Sequence, residues 1–419
     1  MGMTMTQKIL AAHCGEAAVT AGQLINARLD IVLGNDITTP VAINEFNKAG
    51  FDSVFDKTRV NIVLDHFVPN KDIKSATQSK QCREFADKYD ILNFYDVGQM
   101  GVEHALLPEK GIVTAGDCII GADSHTCTYG ALGAFGTGVG CTDLLYGMVT
   151  GTSWVLVPET VKFNLTGKLP EGVYPRDLML TIIGKIGANG VNYQVMEFTG
   201  DGAKTLSVND RMVLCNLAVE AGAKTAIFEA DEIAMEYLRE RGREPKAVFH
   251  SDEDAVYARE YTFDLSQIEP VAARPDFVDD VVPAKEVCGI RIDEAFLGSC
   301  NNGRIDDLRV GASVLKGRRV ADHVRFLVVP ASQEVYLQAL EEGLISVFME
   351  SGAIVMNPNC SVCWGSCQGV IGENEVLIST GTRNFKGRAG HPSSKVYLGS
   401  AATVTASAVK GEICTADML

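Results

Sequence analysis

The chain has 419 residues, of which 46% are hydrophobic and 21% charged, a composition typical of a globular protein with more than one domain. Its net charge of −16 argues against binding to nucleic acid or to an anionic membrane surface, because both present negative phosphates. The sequence has no run of 18 apolar residues and no N-terminal secretion signal, so we expect a cytoplasmic protein without a membrane span. In that compartment, twelve cysteines favour burial or metal binding over a disulfide framework.

Patterns of strand, loop and helix alternate along the chain, which predicts an α/β protein with parallel sheets. Apolar runs at 60–64 and 118–121 predict strands of a first domain, which we place at residues 1–157. Each of these runs ends at a pair of polar residues.

A second domain is predicted at residues 158–283, where an alternating pattern at 161–165 is typical of a strand. The stretch 252–283 is acidic and contains three prolines, which favours a linker between domains.

The third domain, predicted at residues 284–419, has the clearest pattern of alternating elements. A long helical pattern covers 332–349. Short apolar runs predict strands at 294–297, 324–329, 354–356 and 376–379.

Polar residues follow several of these predicted strands directly. Asp65, Asp123, Cys300, Cys360 and Arg383 each lie just beyond the carboxyl end of a strand. In open α/β sheets this edge is where ligands bind. The sequence therefore predicts that these side chains converge on one site.

Three cysteines of the third domain are candidate metal ligands. Cys360 and Cys363 form a CxxC pair, and Cys300 follows Gly298, which permits a close backbone approach. Three thiolates on a four-iron cluster leave one iron free to act as a Lewis acid. A structural zinc site with Cys367 as fourth ligand, or a set of unligated thiols, remains open on this pattern alone.

Six short motifs, spread over nearly the whole chain, resemble those of the aconitase superfamily. Within it the chain is similar to the large subunits of 3-isopropylmalate dehydratase and homoaconitase, and to the related large subunit of 2,3-dimethylmalate dehydratase. The matching stretches are Asp65–Pro69, Glu103–Pro108, Gly121–Thr126, Met196–Phe198, Gly298–Cys300 and Arg383–Arg388.

The resemblance implies three α/β/α domains around an iron–sulfur cluster and a hydro-lyase activity on a malate-type dicarboxylate. It also implies a fourth, swivelling domain, which carries a catalytic serine and which we expect on a separate small subunit. The implied cofactor is one 4Fe-4S cluster with one iron not ligated by protein.

Site residues follow from the resemblance, position by position. The implied cluster ligands are Cys300, Cys360 and Cys363. Elimination of water needs a proton for the leaving hydroxyl, which a histidine beside a carboxylate can supply. The implied catalytic residues are Asp65, His66, His104, Asp123, His125 and Glu197, and the implied substrate-binding residues are Arg383, Arg388, Ser124 and Asn35.

The sequence departs from the family pattern beside the cysteines. Ser361 and Val362 replace the usual glycine and proline between the CxxC cysteines, and Asn301 and Thr382 occupy positions where relatives usually carry threonine and asparagine. This reversal predicts that Asn301 and Thr382 lie near each other. The departures lead us to favour slightly the dehydration of 2,3-dimethylmalate to dimethylmaleate, with 3-isopropylmalate dehydratase of leucine biosynthesis or homoaconitase as alternatives. A zinc-stabilised interaction protein is the alternative from a different class.

Overall fold

A computed structural model describes residues 2–365 and 367–419 of the chain. The strands are β1 (Leu24–Arg28), β2 (Ile31–Asn35), β3 (Val60–Val63), β4 (Asn93–Tyr95), β5 (Cys118–Gly121), β6 (Phe135–Gly138), β7 (Thr152–Leu156), β8 (Thr160–Thr166), β9 (Val195–Thr199), β10 (Thr225–Phe228), β11 (Arg259–Asp264), β12 (Val271–Ala273), β13 (Val281–Pro283), β14 (Glu294–Leu297), β15 (Arg325–Val328), β16 (Ile354–Val355), β17 (Val376–Ser379) and β18 (Lys395–Leu398).

Helices connect most of these strands. The α-helices are α1 (Met5–Cys14), α2 (Thr39–Lys48), α3 (Ile73–Lys88), α4 (Glu103–Glu109), α5 (Cys141–Thr150), α6 (Pro175–Ile186), α7 (Val208–Leu217), α8 (Glu232–Glu240), α9 (Ser299–Asn302), α10 (Ile305–Leu315), α11 (Gln333–Glu341), α12 (Leu344–Glu350), α13 (Ser361–Trp364) and α14 (Ala401–Lys410). The 3₁₀ helices are Ser124–Leu132, Gly202–Thr205, Ala218–Ala221, Leu265–Gln267, Ala284–Val287 and Ala416–Met418. Among the described helices, none combines the length and apolar character needed to cross a membrane.

The first sheet has the order β4-β3-β2-β5-β6, and all of its neighbouring strands are parallel. Strands β2, β3 and β5 are buried along their whole length, which explains their continuous apolar runs in the sequence. A separate antiparallel ribbon joins β1 to β7. The parallel order confirms the predicted α/β class for this part of the chain.

The second sheet, with order β10-β9-β8-β11, is also parallel throughout. One hydrophobic cluster spans the first and second sheets, because Leu33 and Ile119 pack in the same core as Phe163 and Phe198.

The third sheet has the order β13-β12-β18-β17-β14-β15-β16. Strands β14 to β18 are parallel, whereas β12 runs antiparallel to both of its neighbours. The stretch 252–283 is therefore not a linker, because it supplies β11 to the second sheet and β12 and β13 to the third. The three-domain division stays a prediction, and its boundary after residue 283 would cut this sheet.

The predicted helix at 332–349 is two helices in the structure. Gly343 lies between α11 and α12 with a positive φ of 76°, a left-handed conformation that ends α11. The periodic pattern continued across this glycine, so the sequence did not reveal the break.

Carboxyl ends of strands from the first and third sheets face each other. The backbone N–H of Cys360 donates to the carbonyl of Asp65 at 2.9 Å, and that of Val102 donates to Ala331 at 2.8 Å. These bonds hold the loops after β16 and β15 against loops of the first sheet.

Candidate active site

A central cavity of about 210 Å³ lies where these strand ends meet. The predicted site residues line this cavity, except for Asp65, which lies behind His66, and Glu197. Its lining consists of Asn35, Ile37, Thr38, His66, Val102, Glu103, His104, Ala122, Asp123, Ser124, His125, Ser299, Cys300, Cys360, Cys363, Trp364, Arg383 and Arg388.

Two histidine–carboxylate pairs form the acid–base side of the cavity. Nδ1 of His66 lies 2.6 Å from Oδ1 of Asp65, whose Oδ2 accepts from the backbone N–H of Glu103 at 2.7 Å. Nε2 of His104 lies 2.8 Å from Oδ1 of Asp123. Nε2 of His66 lies 3.8 Å from Oδ2 of Asp123, and His66 lines the cavity beside Cys360. His66 therefore keeps one ring nitrogen for the cavity.

The pKa values of the two histidines shift in opposite directions. Burial would lower the pKa of His66, but the negative charges of Cys360 and Asp65 outweigh it and raise that pKa well above its usual value. Burial prevails at His104 and lowers its pKa. Groups whose environments push their pKa values apart are typical of sites that move protons.

A fixed arginine forms the opposite side of the cavity. Nε of Arg383 donates to Oε1 of Glu220 at 2.8 Å, and its Nη2 donates to Oγ of Ser124 at 2.9 Å. Nε2 of His125 lies 3.1 Å from the same Glu220 oxygen. Burial would raise the pKa of Glu220, but the hydrogen bond from His125 and the charge of Arg383 lower it. Arg383 is thereby oriented, and among the described residues its Nη1 has no hydrogen-bond acceptor, which leaves it for an anion.

The second predicted arginine supports the cysteine loop. Nε of Arg388 donates to the carbonyl of Cys363 at 2.6 Å, and its guanidinium lies 5.1 Å from the ring centre of Trp364. Burial would raise the pKa of the Cys363 thiol, but the charge of Arg388 and a backbone hydrogen bond from Thr382 lower it. A lowered thiol pKa favours the thiolate, which is the form that binds metal.

Asn35 lies on the cavity wall but is held by protein groups. Its amide nitrogen donates to Glu103 at 3.0 Å, and its oxygen accepts from the backbone N–H groups of Ile37 and Thr38 at 3.0 and 3.1 Å. Its contacts therefore shape the wall, and its substrate-binding role stays a prediction.

Three thiols converge on the cavity from two loops. Cys300 follows β14, and its sulfur accepts a hydrogen bond from Nδ2 of Asn216 at 3.2 Å. A side chain at Gly298 would meet Val329 at 2.9 Å, so the tight approach of the Cys300 loop requires glycine there. Cys360 and Cys363 both face the cavity from the loop after β16.

The three thiols are not spaced as the ligands of one zinc ion would be. Tetrahedral zinc, with Zn–S bonds of about 2.3 Å, places its sulfurs about 3.8 Å apart. Among the described residues, the groups whose ligand atoms all lie within 4.8 Å of one another are Asp65–His66–Cys360 and Glu103–His104–Asp123. The three thiols do not form such a group, and Cys367 does not line the cavity. Their wider spacing suits a polynuclear cluster better than a single ion.

The predicted position of Glu197 in this site is wrong. On β9, Met196 and Phe198 pack into the core, so the alternation of side chains turns Glu197 to the other face of the sheet. Its Oε1 accepts from Ser251 at 2.7 Å and from Tyr257 at 2.6 Å. There it lines a separate space of about 420 Å³, which we call the Glu197 cavity.

Two residues that contact the site escaped the sequence analysis. Asn216, at the end of α7, contacts Cys300, and Glu220, four residues later, contacts His125 and Arg383. In the sequence the two positions read as i and i+4 of one helix, which share a face; the structure divides this stretch into α7 and the 3₁₀ helix Ala218–Ala221. A polar pair at that spacing in an otherwise apolar stretch was the available signal.

Comparison with known proteins places the chain in a family. Residues 7–411 match the model of the aconitase family (aconitate hydratase). The chain is 54% identical to the 3-isopropylmalate dehydratase large subunit of Clostridium kluyveri, over 100% of this chain and 99% of that protein. It is 54% identical to that of Acetivibrio thermocellus and 51% identical to that of Thermodesulfovibrio yellowstonii, each over 100% of both chains.

Among solved structures, aconitase X of Thermococcus kodakaraensis (holo-form) has a similar fold. The TM-score is 0.50 and the identity 13%, with 93% of each chain covered. At that identity the likeness supports the fold alone. Together with the full-length match to the family model, it confirms the predicted aconitase-like α/β architecture. The chain belongs to the aconitase family, whose members are iron–sulfur hydro-lyases.

Proposed function

We propose that the chain is the large subunit of a 3-isopropylmalate dehydratase, a hydro-lyase that removes and restores water on an isopropyl-substituted malate. The observation that carries the proposal is the identity of 51–54%, from end to end, with relatives of that name. The sequence favoured 2,3-dimethylmalate slightly, because of the departures beside the cysteines. The relatives support the alternative better, and 3-isopropylmalate replaces 2,3-dimethylmalate as our proposed substrate.

The proposed cofactor is one 4Fe-4S cluster held by Cys300, Cys360 and Cys363, with one iron not ligated by protein. The spacing of the three thiols supports it. When bound, such a cluster supplies a Lewis acid for the substrate hydroxyl.

His66 is the proposed proton donor to the leaving hydroxyl. Asp65 holds its Nδ1 at 2.6 Å, so Nε2 is the nitrogen directed to exchange protons in the cavity. His104 and Asp123, 2.8 Å apart, form the neighbouring pair that orients the acid–base wall. A positioned acid or base typically contributes about 10²–10⁴-fold to the rate.

Arg383 is the proposed binding residue for a substrate carboxylate. Its guanidinium is held by Glu220 and Ser124 at 2.8 and 2.9 Å, so little side-chain freedom is lost when an anion binds. A planar guanidinium suits a carboxylate better than an ammonium group does.

A separate small subunit completes the proposed enzyme. The similar proteins are themselves named as large subunits, which implies such a partner. We propose that the partner carries the swivelling domain and the catalytic serine.

Co-expression with the small subunit, followed by anaerobic assays, tests the proposal. We expect the highest kcat/KM with 3-isopropylmalate, compared with 2,3-dimethylmalate, homocitrate and citraconate. A higher kcat/KM with 2,3-dimethylmalate would overturn the assignment of 3-isopropylmalate as the substrate. The large subunit alone should show no turnover, and full activity without a partner would overturn the two-subunit proposal.

A further inference from the structure

Two arginines of the second sheet region, Arg176 and Arg211, are fully buried, but their environments differ. Both are at most 1% exposed. Arg211 binds Asp231 through two hydrogen bonds, at 2.7 and 2.6 Å, which neutralise its charge. For Arg176, no carboxylate among the described residues lies within ion-pair distance. A buried charge without a counter-charge is strongly destabilising, so Arg176 requires an explanation.

Arg176 connects two loops of the central cavity. Its Nη1 donates to the side-chain oxygens of Asn301 and Asn302, at 2.7 and 3.0 Å, directly after the first cluster cysteine. Nη1 also donates to the carbonyl of Thr380 at 2.8 Å, and Nη2 donates to that of Gly381. One guanidinium therefore fixes the loop of Cys300 to the loop that leads to Arg383.

These contacts also connect the two exchanged positions of the sequence. Asn301 binds the guanidinium directly, and Thr382 follows Gly381, which binds it through its carbonyl. Oγ1 of Thr382 lies 3.7 Å from the sulfur of Cys363. Arg176 therefore contacts Asn301 and the residue directly before Thr382, while the nearness of the Asn301 and Thr382 side chains stays a prediction.

The cysteines of the proposed cluster lie beside the loops that Arg176 connects, because Asn301 follows Cys300 and Thr382 contacts the sulfur of Cys363. Burial lowers the pKa of Arg176 to about 10, while the negative charges of Cys363, Asp177, Asp307 and Cys300 act to raise it, with Cys363 the largest of them. The two carboxylates are held by other groups, because Asp177 accepts from the backbone N–H of Val271 at 3.1 Å and Asp307 accepts from Nδ2 of Asn302 at 2.7 Å. An anionic cluster on the three thiols would provide the charge that the protein does not.

We propose that Arg176 is a positioning residue of the cluster site, which locks the Cys300 loop to the Arg383 loop and supplies the buried positive charge that balances the cluster. This inference rests on the proposed function. Net charge and hydrogen bonding around a cluster set its reduction potential, so a nearby cation favours the reduced, more negative state.

Substitutions of Arg176, matched with substitutions of Arg211, test both the positioning part and the electrostatic part of the proposal. Arg176→Gln removes the charge and most of the hydrogen bonds, whereas Arg176→Lys keeps the charge but cannot reach four oxygens from a planar fork. Arg211→Gln and Arg211→Lys control for the general cost of changing a buried arginine. The readouts on the two-subunit enzyme are iron content, midpoint potential by anaerobic redox titration, and kcat and KM separately.

We expect Arg176→Gln to lower the midpoint potential, to reduce iron retention and to raise KM by roughly tenfold or more, the scale of a lost hydrogen bond to a charged group. Arg176→Lys should raise KM with an unchanged potential. The Arg211 variants should lower thermal stability without changing the potential or KM.

An unchanged potential in Arg176→Gln would overturn the electrostatic part, and an unchanged KM in both Arg176 variants would overturn the positioning part. Should Arg176→Gln fail to fold, Arg176→Lys still decides, because a shifted potential or a wild-type KM in that variant contradicts the proposal. A wild-type protein that binds no cluster would instead overturn the proposed function, so the two failures are distinguishable.

Discussion

The central cavity and the Glu197 cavity each contain a carboxylate from a family-like motif, yet they differ in how they are built. Asp123 contacts His104 and His125, and it lines a cavity to which loops of both the first and the third sheets contribute. Glu197 meets Ser251 and Tyr257, close to its own sheet. The single histidine among the described lining of the Glu197 cavity is His250, which is exposed and paired with Glu229 at 2.9 Å.

The difference shows that the capacity for catalysis depends on how many functional groups converge on a cavity, rather than on the burial of any one carboxylate. The Glu197 cavity is about 420 Å³, twice the 210 Å³ of the central cavity, so size does not identify the site. Thiols, arginines and histidines from separate strand ends meet only in the central cavity, among the residues that the structure describes.

The largest expected effect is a loss of kcat on substitution of Asp123, which the same change at Glu197 should not cause. Asp123→Asn removes the charge that orients His104 and His125, and we expect kcat of the two-subunit enzyme to fall by roughly 10²–10⁴-fold. Glu197→Gln is the matched control, and its kcat should stay within about twofold, the scale of a change remote from the chemistry. Steady-state assays with 3-isopropylmalate measure both. Equal losses in the two variants would show that the comparison between the cavities is mistaken.

The sequence revealed the strand ends better than the directions of side chains. Residues directly after β3, β5, β14 and β17 were predicted to converge, and they do, because parallel strands end at a common edge. Glu197 lies within β9, where strand register decides which face it takes, and a motif match carries no information on that register. The positions of β12 and β13 also depend on long-range pairing, which the local acidic and proline-rich pattern did not predict.

An intermediate effect is expected at Glu220, one of the two site residues that the sequence analysis missed. Glu220→Gln removes the negative partner of Arg383 and His125, whose hydrogen bonds are 2.8 and 3.1 Å long. A hydrogen bond to a charged group is worth roughly 1.5–3 kcal/mol, so kcat/KM should fall by about 10- to 100-fold. Most of the loss should appear in KM, because Arg383 loses its orientation. A fall in kcat with an unchanged KM would place Glu220 in the chemistry instead.

The smallest expected effect concerns the stability of the Glu197 cavity. Burial raises the pKa of Glu197, although hydrogen bonds from Tyr257 and Ser251 oppose it. A raised folded-state pKa stabilises the fold fully below the unfolded-state value of about 4.5, and that contribution is lost as pH rises through the folded-state pKa. Glu197→Gln lacks this loss of stability. The difference in melting temperature, variant minus wild type, should therefore increase from pH 5 to pH 8.

The size of this stability change should be on the order of 1 kcal/mol. Glu350→Gln, at an exposed position at the end of α12, is the control and should leave the pH profile of the melting temperature unchanged. A melting temperature for Glu197→Gln that falls relative to wild type as pH rises would contradict the sign.

Anaerobic analysis of iron, acid-labile sulfide and zinc tests the three-thiol cluster most directly. We predict about four iron and four sulfide atoms per chain, as in a cubane cluster. Ser substitutions at Cys300, Cys360 and Cys363 should abolish iron binding, and Cys367→Ser should retain it. One zinc atom per chain, retained without iron and lost in Cys367→Ser, would contradict the proposed cluster and restore the zinc-stabilised alternative.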